Sequence, residues 1–305
     1  MAQSQVLTRE NTATLEAIPE VKRVMEVRKA PHGHWVGDGF PVRTIFAYDN
    51  AQQTSPFLLM DYAGPYHFQP AYKRRGVGEH PHRGFETVTI LYSGEVEHRD
   101  SSGGGGKIGP GDVQWMTAGS GVVHEEMHSE AYTESGGPFE AIQLWVNLPA
   151  RLKMTKPKYQ TILSADIPDV PLANDAGRVR VIAGAFNGAQ GPAETFTPMN
   201  LWDVRLNAGR GASFTTAAGH TGAVFVLKGK VTVNGTAARE SEFVLLDREG
   251  EGFNIDAETD AVLLILSGEP IDEPVFGYGP FVMNNEAEIR RAMADYQSGL
   301  MGHLK

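Results

Sequence analysis

The chain has 305 residues, contains no cysteine and carries a formal net charge of −10. The lack of cysteine excludes disulfides, iron–sulfur clusters and thiolate metal sites, and the acidic balance argues against a direct nucleic-acid-binding surface. No apolar run reaches the length of a membrane span, and Met1 to Val24 lacks the apolar core of a signal peptide, so we expect a cytoplasmic protein with no membrane partner. The 35 glycines and 18 prolines supply many turns and favour an all-β fold.

Alternation of apolar and polar residues predicts a series of strands in the first half. Residues 1–20 are predicted to form an N-terminal tail or a short helix over 11–18. Strands are then predicted over residues 43–48, 56–62, 86–92, 95–99, 113–117 and 139–148. A polar stretch with prolines and lysines follows. We therefore predict a first domain over 21–150, a linker over 151–175 and a second domain over 176–305.

Two histidines mark the first candidate site. His80 and His82 lie in the run HPHRGFETVTI, and residues two apart in a strand point to the same face. Neutral imidazole is the commonest metal ligand among side chains. Pro81, between them, cannot donate a ladder hydrogen bond, so we expect this segment at a barrel rim or sheet edge.

A second pair has the same spacing. His124 and Glu126 would share a face if their segment is extended. Three imidazoles and one carboxylate form an octahedral set with positions left open, which resembles the two-His-one-carboxylate sites of non-haem iron oxygenases. The sequence therefore predicts one metal site on His80, His82, His124 and Glu126. A bulge in the strand would turn Glu125 inward in place of Glu126.

The second half repeats the first in outline. A strand, a glycine turn and a returning strand surround both Gly94 and Gly229, which suggests two tandem antiparallel β-barrels. With these glycines superposed, Thr215 and Ala217 replace the first two histidines, and the second ligand pair falls near Asn254 and Asp256. The second barrel is therefore predicted to bind no metal.

The last segment has a helical pattern. Asn285 can cap a helix with Glu288 reaching back. Apolar residues then recur at helical spacing from Ile289 to Tyr296, and Gly299 is predicted to end the helix. We expect this amphipathic helix to pack on a barrel.

Four separated stretches carry a resemblance to a known family. HPHRGFETV, PGDVQWMTAGSGVVHEEM, QLWVNLP and GPFVMN are similar to segments of the pirins, which belong to the cupin superfamily. The resemblance implies a bicupin fold, in which two jelly-roll barrels lie face to face, with metal in the N-terminal barrel only. It implies Fe(2+) as the native metal, held by His80, His82, His124 and Glu126. It further implies quercetin 2,3-dioxygenase activity, in which O2 opens a flavonol with loss of carbon monoxide.

Several polar and aromatic residues near the motifs have competing interpretations. Glu126 is the candidate catalytic residue, since it could accept the proton of the flavonol hydroxyl. Glu86 is expected either to support the site or to have no role. His128 and Arg83 are expected at the surface or the pocket rim. The aromatic side chains are expected in the barrel core, namely Phe85, Trp115 and Trp145.

The ligand set alone leaves the function class open. A dioxygenase needs an open cleft that admits a three-ring substrate. A non-catalytic iron-binding regulator, which would act through a protein partner as the resemblance also implies, suits a sealed site. A structural metal is the third alternative, although structural zinc sites are usually closed and tetrahedral. Other divalent first-row metals could also bind such ligands.

Overall fold

The computed structural model describes residues 20–304, so the predicted tail or short helix lies outside the described residues apart from Glu20. Strands dominate the first half of the chain, as the alternating pattern predicted. These strands are β1 (Val24–Lys29), β2 (His34–Val36), β3 (Phe40–Phe46), β4 (Phe57–Phe68), β5 (Gly76–His82), β6 (Phe85–Ser93), β7 (Val96–Asp100), β8 (Gly105–Ile108), β9 (Val113–Thr117), β10 (Val122–His128), β11 (Gly137–Asn147) and β12 (Lys158–Ile162).

The second half is built in the same way. Its strands are β13 (Asp169–Pro171), β14 (Gly177–Ala183), β15 (Ala185–Phe186), β16 (Ala189–Gln190), β17 (Met199–Leu206), β18 (Gly211–Thr215), β19 (Thr221–Lys228), β20 (Lys230–Val233), β21 (Thr236–Arg239), β22 (Glu242–Leu246), β23 (Gly252–Ala257), β24 (Ala261–Gly268), β25 (Phe276–Tyr278) and β26 (Phe281–Met283). The α-helices are α1 (Ala51–Thr54), α2 (Glu130–Ser135) and α3 (Glu286–Gln297). Short 3-10 turns lie at Tyr48–Asn50, Ala150–Leu152, Ser164–Asp166 and Ala173–Asp175. None of the helices between residues 20 and 304 is long and apolar enough to cross a membrane.

Each half forms a barrel from two antiparallel sheets. In the first barrel, a seven-stranded sheet of order β12-β9-β6-β11-β4-β3-β2 faces a four-stranded sheet of order β5-β10-β7-β8. In the second, the orders are β1-β22-β19-β24-β17-β14-β13 and β18-β23-β20-β21. The fold is therefore all-β, with two tandem jelly-roll barrels and a C-terminal helix, as predicted. The edge position of β5 confirms the interpretation of Pro81.

Two strands pair across the predicted domain boundaries. β1, which precedes the first barrel in the chain, adds to the edge of the second barrel through pairs such as Val27 with Val244. β12, inside the predicted linker, pairs with β9 of the first barrel through Gln160 and Trp115. The boundaries at 150 and 175 remain a prediction, because β1 and β12 each pair with strands outside the segment in which they were predicted to lie.

The two seven-stranded sheets pack face to face. Residues of one parity fill the space between the barrels, and aromatic rings meet there: Tyr62 contacts Phe225 at 5.1 Å and Phe46 contacts Phe243 at 5.3 Å between ring centroids. Trp115 is fully buried in the same cluster. Because successive residues of a strand alternate faces, residues of the other parity point into the first barrel, where the candidate site lies.

The second barrel has an apolar interior. Phe253 and Ile255 of β23 are buried inside it, together with Phe214 of the neighbouring strand. Asn254 and Asp256, where the repeat alignment placed the second ligand pair, are exposed on the outer face. The repeat alignment was therefore wrong by one residue along β23. A shift of one residue moves every side chain of a strand to the other face.

The C-terminal helix packs on the first barrel. Asn285 caps it, since its side-chain oxygen accepts a hydrogen bond from Glu288 N at 3.0 Å, and Gly299 follows its end with a φ of +74°. Ile289 and Ala292 are buried against Val123 of β10. The helix is thus anchored directly behind the strand that carries His124.

We expect Asp203→Asn to lower the free energy of unfolding by about 3–5 kcal/mol, because removing one partner of a buried ion pair leaves an uncompensated charge. The Asp203 side chain is fully buried and Arg180 contacts it at 2.9 Å, while Arg205 contacts its other oxygen. Arg180 also donates to Gly111 O of the first barrel at 2.7 Å, so the cluster joins the barrels. Chemical denaturation would measure the loss.

The matched control is Asp169→Asn. Asp169 of β13 pairs with Arg178 of β14 at 3.4 Å, but both side chains are exposed. Such a surface pair contributes within about 1 kcal/mol. Equal losses in the two variants would contradict the assigned role of the buried cluster.

Candidate metal centre

Three histidines converge at the end of the four-stranded sheet. His80 and His124 are direct cross-strand partners on β5 and β10, and His82 follows two residues later on the same face. One ring nitrogen of each of the three lies within 4.8 Å of the others. The ring centroids of His80 and His124 are 4.2 Å apart, and both lie 4.9 Å from that of His82. The structure thus brings the three predicted imidazoles together.

The Nδ1 atom of each ring has a hydrogen-bond partner. His80 Nδ1 lies 2.8 Å from Gly78 O, and His82 Nδ1 lies 3.3 Å from Pro280 O. A carbonyl can only accept, so these two rings carry their proton on Nδ1 and expose a lone pair on Nε2. His124 Nδ1 lies 3.2 Å from His98 Nδ1. Because Nδ1 is engaged in each ring, Nε2 is the nitrogen that each ring has left for a metal.

The buried rings are neutral, and one of them lacks a hydrogen-bond partner for a ring nitrogen. Burial, followed by the neighbouring imidazoles, lowers the pKa of His82 and of His124 well below the ordinary value. His124 Nε2 is buried without a hydrogen-bond partner among the described residues. Buried polar atoms are rarely left unpaired, and metal binding requires neutral imidazole. The three-histidine group, His80, His82 and His124, therefore fits a divalent metal ion.

Glu126 faces the same cavity but is not part of the group with mutual distances within 4.8 Å. Its Oε1 atom accepts hydrogen bonds from Gln114 Nε2 and from Thr89 Oγ1, the latter at 3.1 Å. The pairing of β10 with β5 is irregular: β10 advances two residues from His124 to Glu126, whereas β5 advances three. The extra residue therefore lies in β5. Pairing of β10 with β7 stays regular, so Glu125 faces outward to Arg99 at 2.6 Å.

A cavity of about 310 Å³ opens beside the three histidines. Its walls are mainly apolar, and its size lies in the range of small-molecule sites. The lining residues are Val36, Phe40, Val42, Asp61, Ala63, Val77, His80, His82, Thr89, Glu126, Ala141, Gln143, Trp145 and Pro280. Trp145, predicted in the core, is thus partly a cavity wall.

A row of polar side chains crosses the seven-stranded sheet of the first barrel, and three of its four members line this cavity. Asp61, Gln143, Thr89 and Gln114 are successive cross-strand neighbours on four adjacent strands. Thr89 Oγ1 lies 2.6 Å from Gln143 Oε1, and burial raises the pKa of Asp61 although Thr44 donates to it. This row could not be predicted from the sequence, because each residue occupies one ordinary position of an alternating strand.

His98 and Asp100 were not among the predicted site residues. They lie at i and i+2 on β7, the same spacing that revealed the other pairs, and their side chains are almost completely buried. His98 Nε2 lies 3.3 Å from Asp100 Oδ2. Burial raises the pKa of Asp100, but hydrogen bonds from His98, Ser102 and Gly104 outweigh it and bring the pKa to about 2.

Glu86 lies on the opposite face of β6 from the cavity. It shares the parity of Val88, which is buried between the barrels, and accepts a hydrogen bond from Thr117 Oγ1 at 2.7 Å. The turn at Arg83 and Gly84 separates β5 from β6, so Glu86 does not share the face of His82. Burial raises the pKa of Glu86 to about 7.

We expect Glu86→Gln to stabilise the protein at pH 8 by about 2–3 kcal/mol and to have little effect at pH 5. A carboxyl with a raised folded pKa stabilises the fold fully below its ordinary pKa, and that contribution is lost as the pH rises through about 7. Melting temperatures at both pH values would test this. Glu134→Gln, exposed in α2, is the control, and an equal gain at pH 5 and pH 8 would contradict the assignment.

Two other predictions were wrong. His128 is only 2% exposed: its Nε2 atom lies 3.0 Å from Gly39 O, and aromatic rings such as Phe68 surround it. Arg83 is also buried, and it contacts Asp295 of α3 at 2.8 Å. Neither residue lines the cavity, so both stabilise the framework of the site.

Comparisons with known proteins agree with this architecture. The family model described as Pirin matches residues 39–146, and the model described as Pirin C-terminal cupin domain matches residues 201–302. A Pseudomonas aeruginosa protein named "Putative quercetin 2,3-dioxygenase PA2418" is 55% identical over 280 residues, 92% of this chain and 98% of that protein. A pirin-like protein of Caulobacter vibrioides is 40% identical over 281 residues, 90% and 99% of the two chains.

A solved structure is similar as well. The crystal structure of a quercetin 2,3-dioxygenase from Acinetobacter baumannii has a TM-score of 0.91 and 52% sequence identity. The match covers 94% of this chain and 100% of that one.

Proposed function

Because the chain belongs to the pirin family, we propose that it is a metal-dependent dioxygenase that opens a flavonol with O2. Its metal, Fe(2+) by family resemblance, would be held by His80, His82, His124 and Glu126. Two similar proteins bear the name of this activity. The observation that carries the proposal is a cluster of three buried or half-buried imidazoles, with their ring nitrogens close together, beside a largely apolar cavity.

A divalent metal ion at the three-histidine group would act as a Lewis acid that favours ionisation of a hydroxyl and would supply redox chemistry toward dioxygen. The chain's own residues bind and orient the substrate. Apolar side chains such as Phe40 and Val77 line the cavity and favour a flat, largely apolar ring system. The walls also limit the water that reaches the reacting atoms.

Glu126 is the candidate general base. It lines the cavity beside His80 and His82, so a hydroxyl directed at the histidines would lie near its carboxylate. Gln114 and Thr89 hold one oxygen of Glu126 in place, which leaves the other oxygen to accept the proton of the substrate hydroxyl. A positioned base of this kind contributes about 10²–10⁴-fold to rate.

The test begins with metal analysis of protein purified without added metal. Metal-free protein would then be reconstituted anaerobically with Fe(2+), Mn(2+), Co(2+), Ni(2+) or Cu(2+) and mixed with quercetin in air-saturated buffer. We expect coupled loss of quercetin, uptake of O2 and release of carbon monoxide with at least one metal. Metal binding at one ion per chain without O2 uptake for any metal would contradict the enzyme and favour the non-catalytic regulator.

A further inference from the structure

A hydrogen-bonded chain of three side chains extends from the three-histidine group into the barrel wall. Asp100 Oδ2 lies 3.3 Å from His98 Nε2, and His98 Nδ1 lies 3.2 Å from His124 Nδ1. All three side chains are buried. At the end of the chain, His124 Nε2 has no hydrogen-bond partner among residues 20–304. The other end, Asp100, therefore has a defined chemical link to the metal-facing atom.

Asp100 sets which atoms donate and which accept along this row of hydrogen-bonded side chains. Its Oδ1 atom accepts from Ser102 N at 2.8 Å and from Gly104 N at 3.0 Å, so the carboxylate is an acceptor. His98 must then donate from Nε2, and in its neutral form it presents a lone pair on Nδ1. That lone pair accepts the Nδ1 proton of His124. The consequence is a bare Nε2 atom on His124, the form that binds a metal.

We propose that Asp100 and His98 are positioning residues that fix the tautomer of His124 and so set the metal affinity of the site. The inference rests on the metal centre of the proposed function. His80 and His82 need no such chain, because backbone carbonyls fix their tautomers. His124 is the one ring of the three-histidine group whose Nδ1 partner can itself donate or accept, so its tautomer depends on residues farther away.

The surroundings hold the chain in place. The ring of His98 stacks on Tyr159 of β12, with centroids 4.7 Å apart and an interplanar angle of 15°. Tyr159 also donates to Gln114 Oε1 at 3.3 Å, and Gln114 in turn holds Glu126. Strand β12 thus supports both the imidazole and the carboxylate side of the cavity. Partners of this kind fix ring orientation in other metal sites.

The decisive variant is Asp100→Asn. Asparagine can keep Oδ1 as the acceptor for Ser102 N and Gly104 N, while its amide replaces Oδ2 with a donor. His98 would then accept at Nε2 and donate from Nδ1, which forces the proton of His124 onto Nε2. We expect the dissociation constant for Co(II), measured by titration of its visible absorption, to rise about 10–100-fold.

Ser102→Ala is the matched control. Ser102 Oγ donates to Asp100 Oδ1 at 2.6 Å, so this variant weakens the loop without changing the polarity of the chain. We expect its dissociation constant for Co(II) to stay within about threefold of the wild-type value. This change is far smaller than the one expected for Asp100→Asn, which alters a group that supports a metal ligand. His98→Phe, which keeps the stack on Tyr159 and removes the acceptor, is expected to bind Co(II) more weakly than wild type.

Nitrogen-15 NMR of the metal-free wild-type protein gives a readout that needs no variant. We expect His124 to carry its proton on Nδ1; a proton on Nε2 would overturn the proposal. Co(II) affinity of Asp100→Asn equal to that of wild type, or an equal loss in Ser102→Ala, would also overturn it. Failure of the wild-type protein to bind Co(II) would instead contradict the metal centre, and with it the proposed function.

Discussion

His124→Ala is expected to raise the dissociation constant for the bound metal by about 10³-fold, or about 4 kcal/mol at 1.4 kcal/mol per tenfold change. His124 supplies the only fully buried ring of the three-histidine group, and its Nε2 atom has no other partner in the described part of the chain. Its loss leaves two imidazoles on a single edge strand. Metal content after dialysis and Co(II) titration would measure the effect.

The control for this variant is His67→Ala. His67 lies on β4 and is exposed, so its loss removes an imidazole of the same kind without touching the cavity. One metal ion per chain is expected to remain. Retention of full metal content by His124→Ala would show that the metal binds elsewhere and would contradict the assigned centre.

Glu126→Gln is expected to lower kcat for quercetin by about 10²–10⁴-fold, because an amide cannot accept the substrate proton. Metal affinity is expected to fall far less, by about tenfold, because the three imidazoles remain. The hydrogen bond from Gln114 Nε2 can be kept by the amide oxygen of the new residue. Steady-state kinetics at saturating metal, together with Co(II) titration, would separate the two effects.

Glu125→Gln is the neighbouring control. Glu125 faces outward and pairs with Arg99, so kcat and metal content are expected to match those of wild type. The reverse result, full loss in Glu125→Gln with an active Glu126→Gln, would mean that the register of β10 differs from the one described. A fall in metal affinity as large as the fall in kcat would limit Glu126 to its role as a metal ligand and contradict its role as the base.

The positions of the three imidazoles could be predicted from strand spacing, because residues two apart share a face whatever the rest of the fold does. His98 and Asp100 have the same spacing, but nothing local to β7 indicates that it lies beside β10. That neighbourhood is set by the sheet order β5-β10-β7-β8, which joins residues that are distant in the chain. The polar row from Asp61 to Gln114 is hidden for the same reason.

The errors also have a physical cause. His128 follows the alternation of His124 and Glu126, so its buried position could have been predicted from parity. Parity does not extend from His82 to Glu86, because Gly84 interrupts the strand with a φ of +90°. In the second barrel, parity counted from a single glycine placed Asn254 on the wrong face, since loop lengths differ between the two copies.

The first strand of the chain packs on the second barrel, and the C-terminal segment packs on the first barrel. β1 completes the second barrel, whereas Pro280 holds His82 of the first, and Ser101 donates to Met301 O at 2.6 Å. At Gly84, a Cβ would lie 2.0 Å from Val282 O, so the terminal segment lies directly against the backbone beside His82.

A nascent chain that has emerged only as far as residue 175 therefore contains every proposed ligand, but not the carbonyl that orients one of them. We expect metal loading to wait until synthesis of the polypeptide is finished. Expression of the second half alone should leave the edge of β22 unpaired, because β1 is missing. Expression of the first half alone should leave His82 without the carbonyl of Pro280.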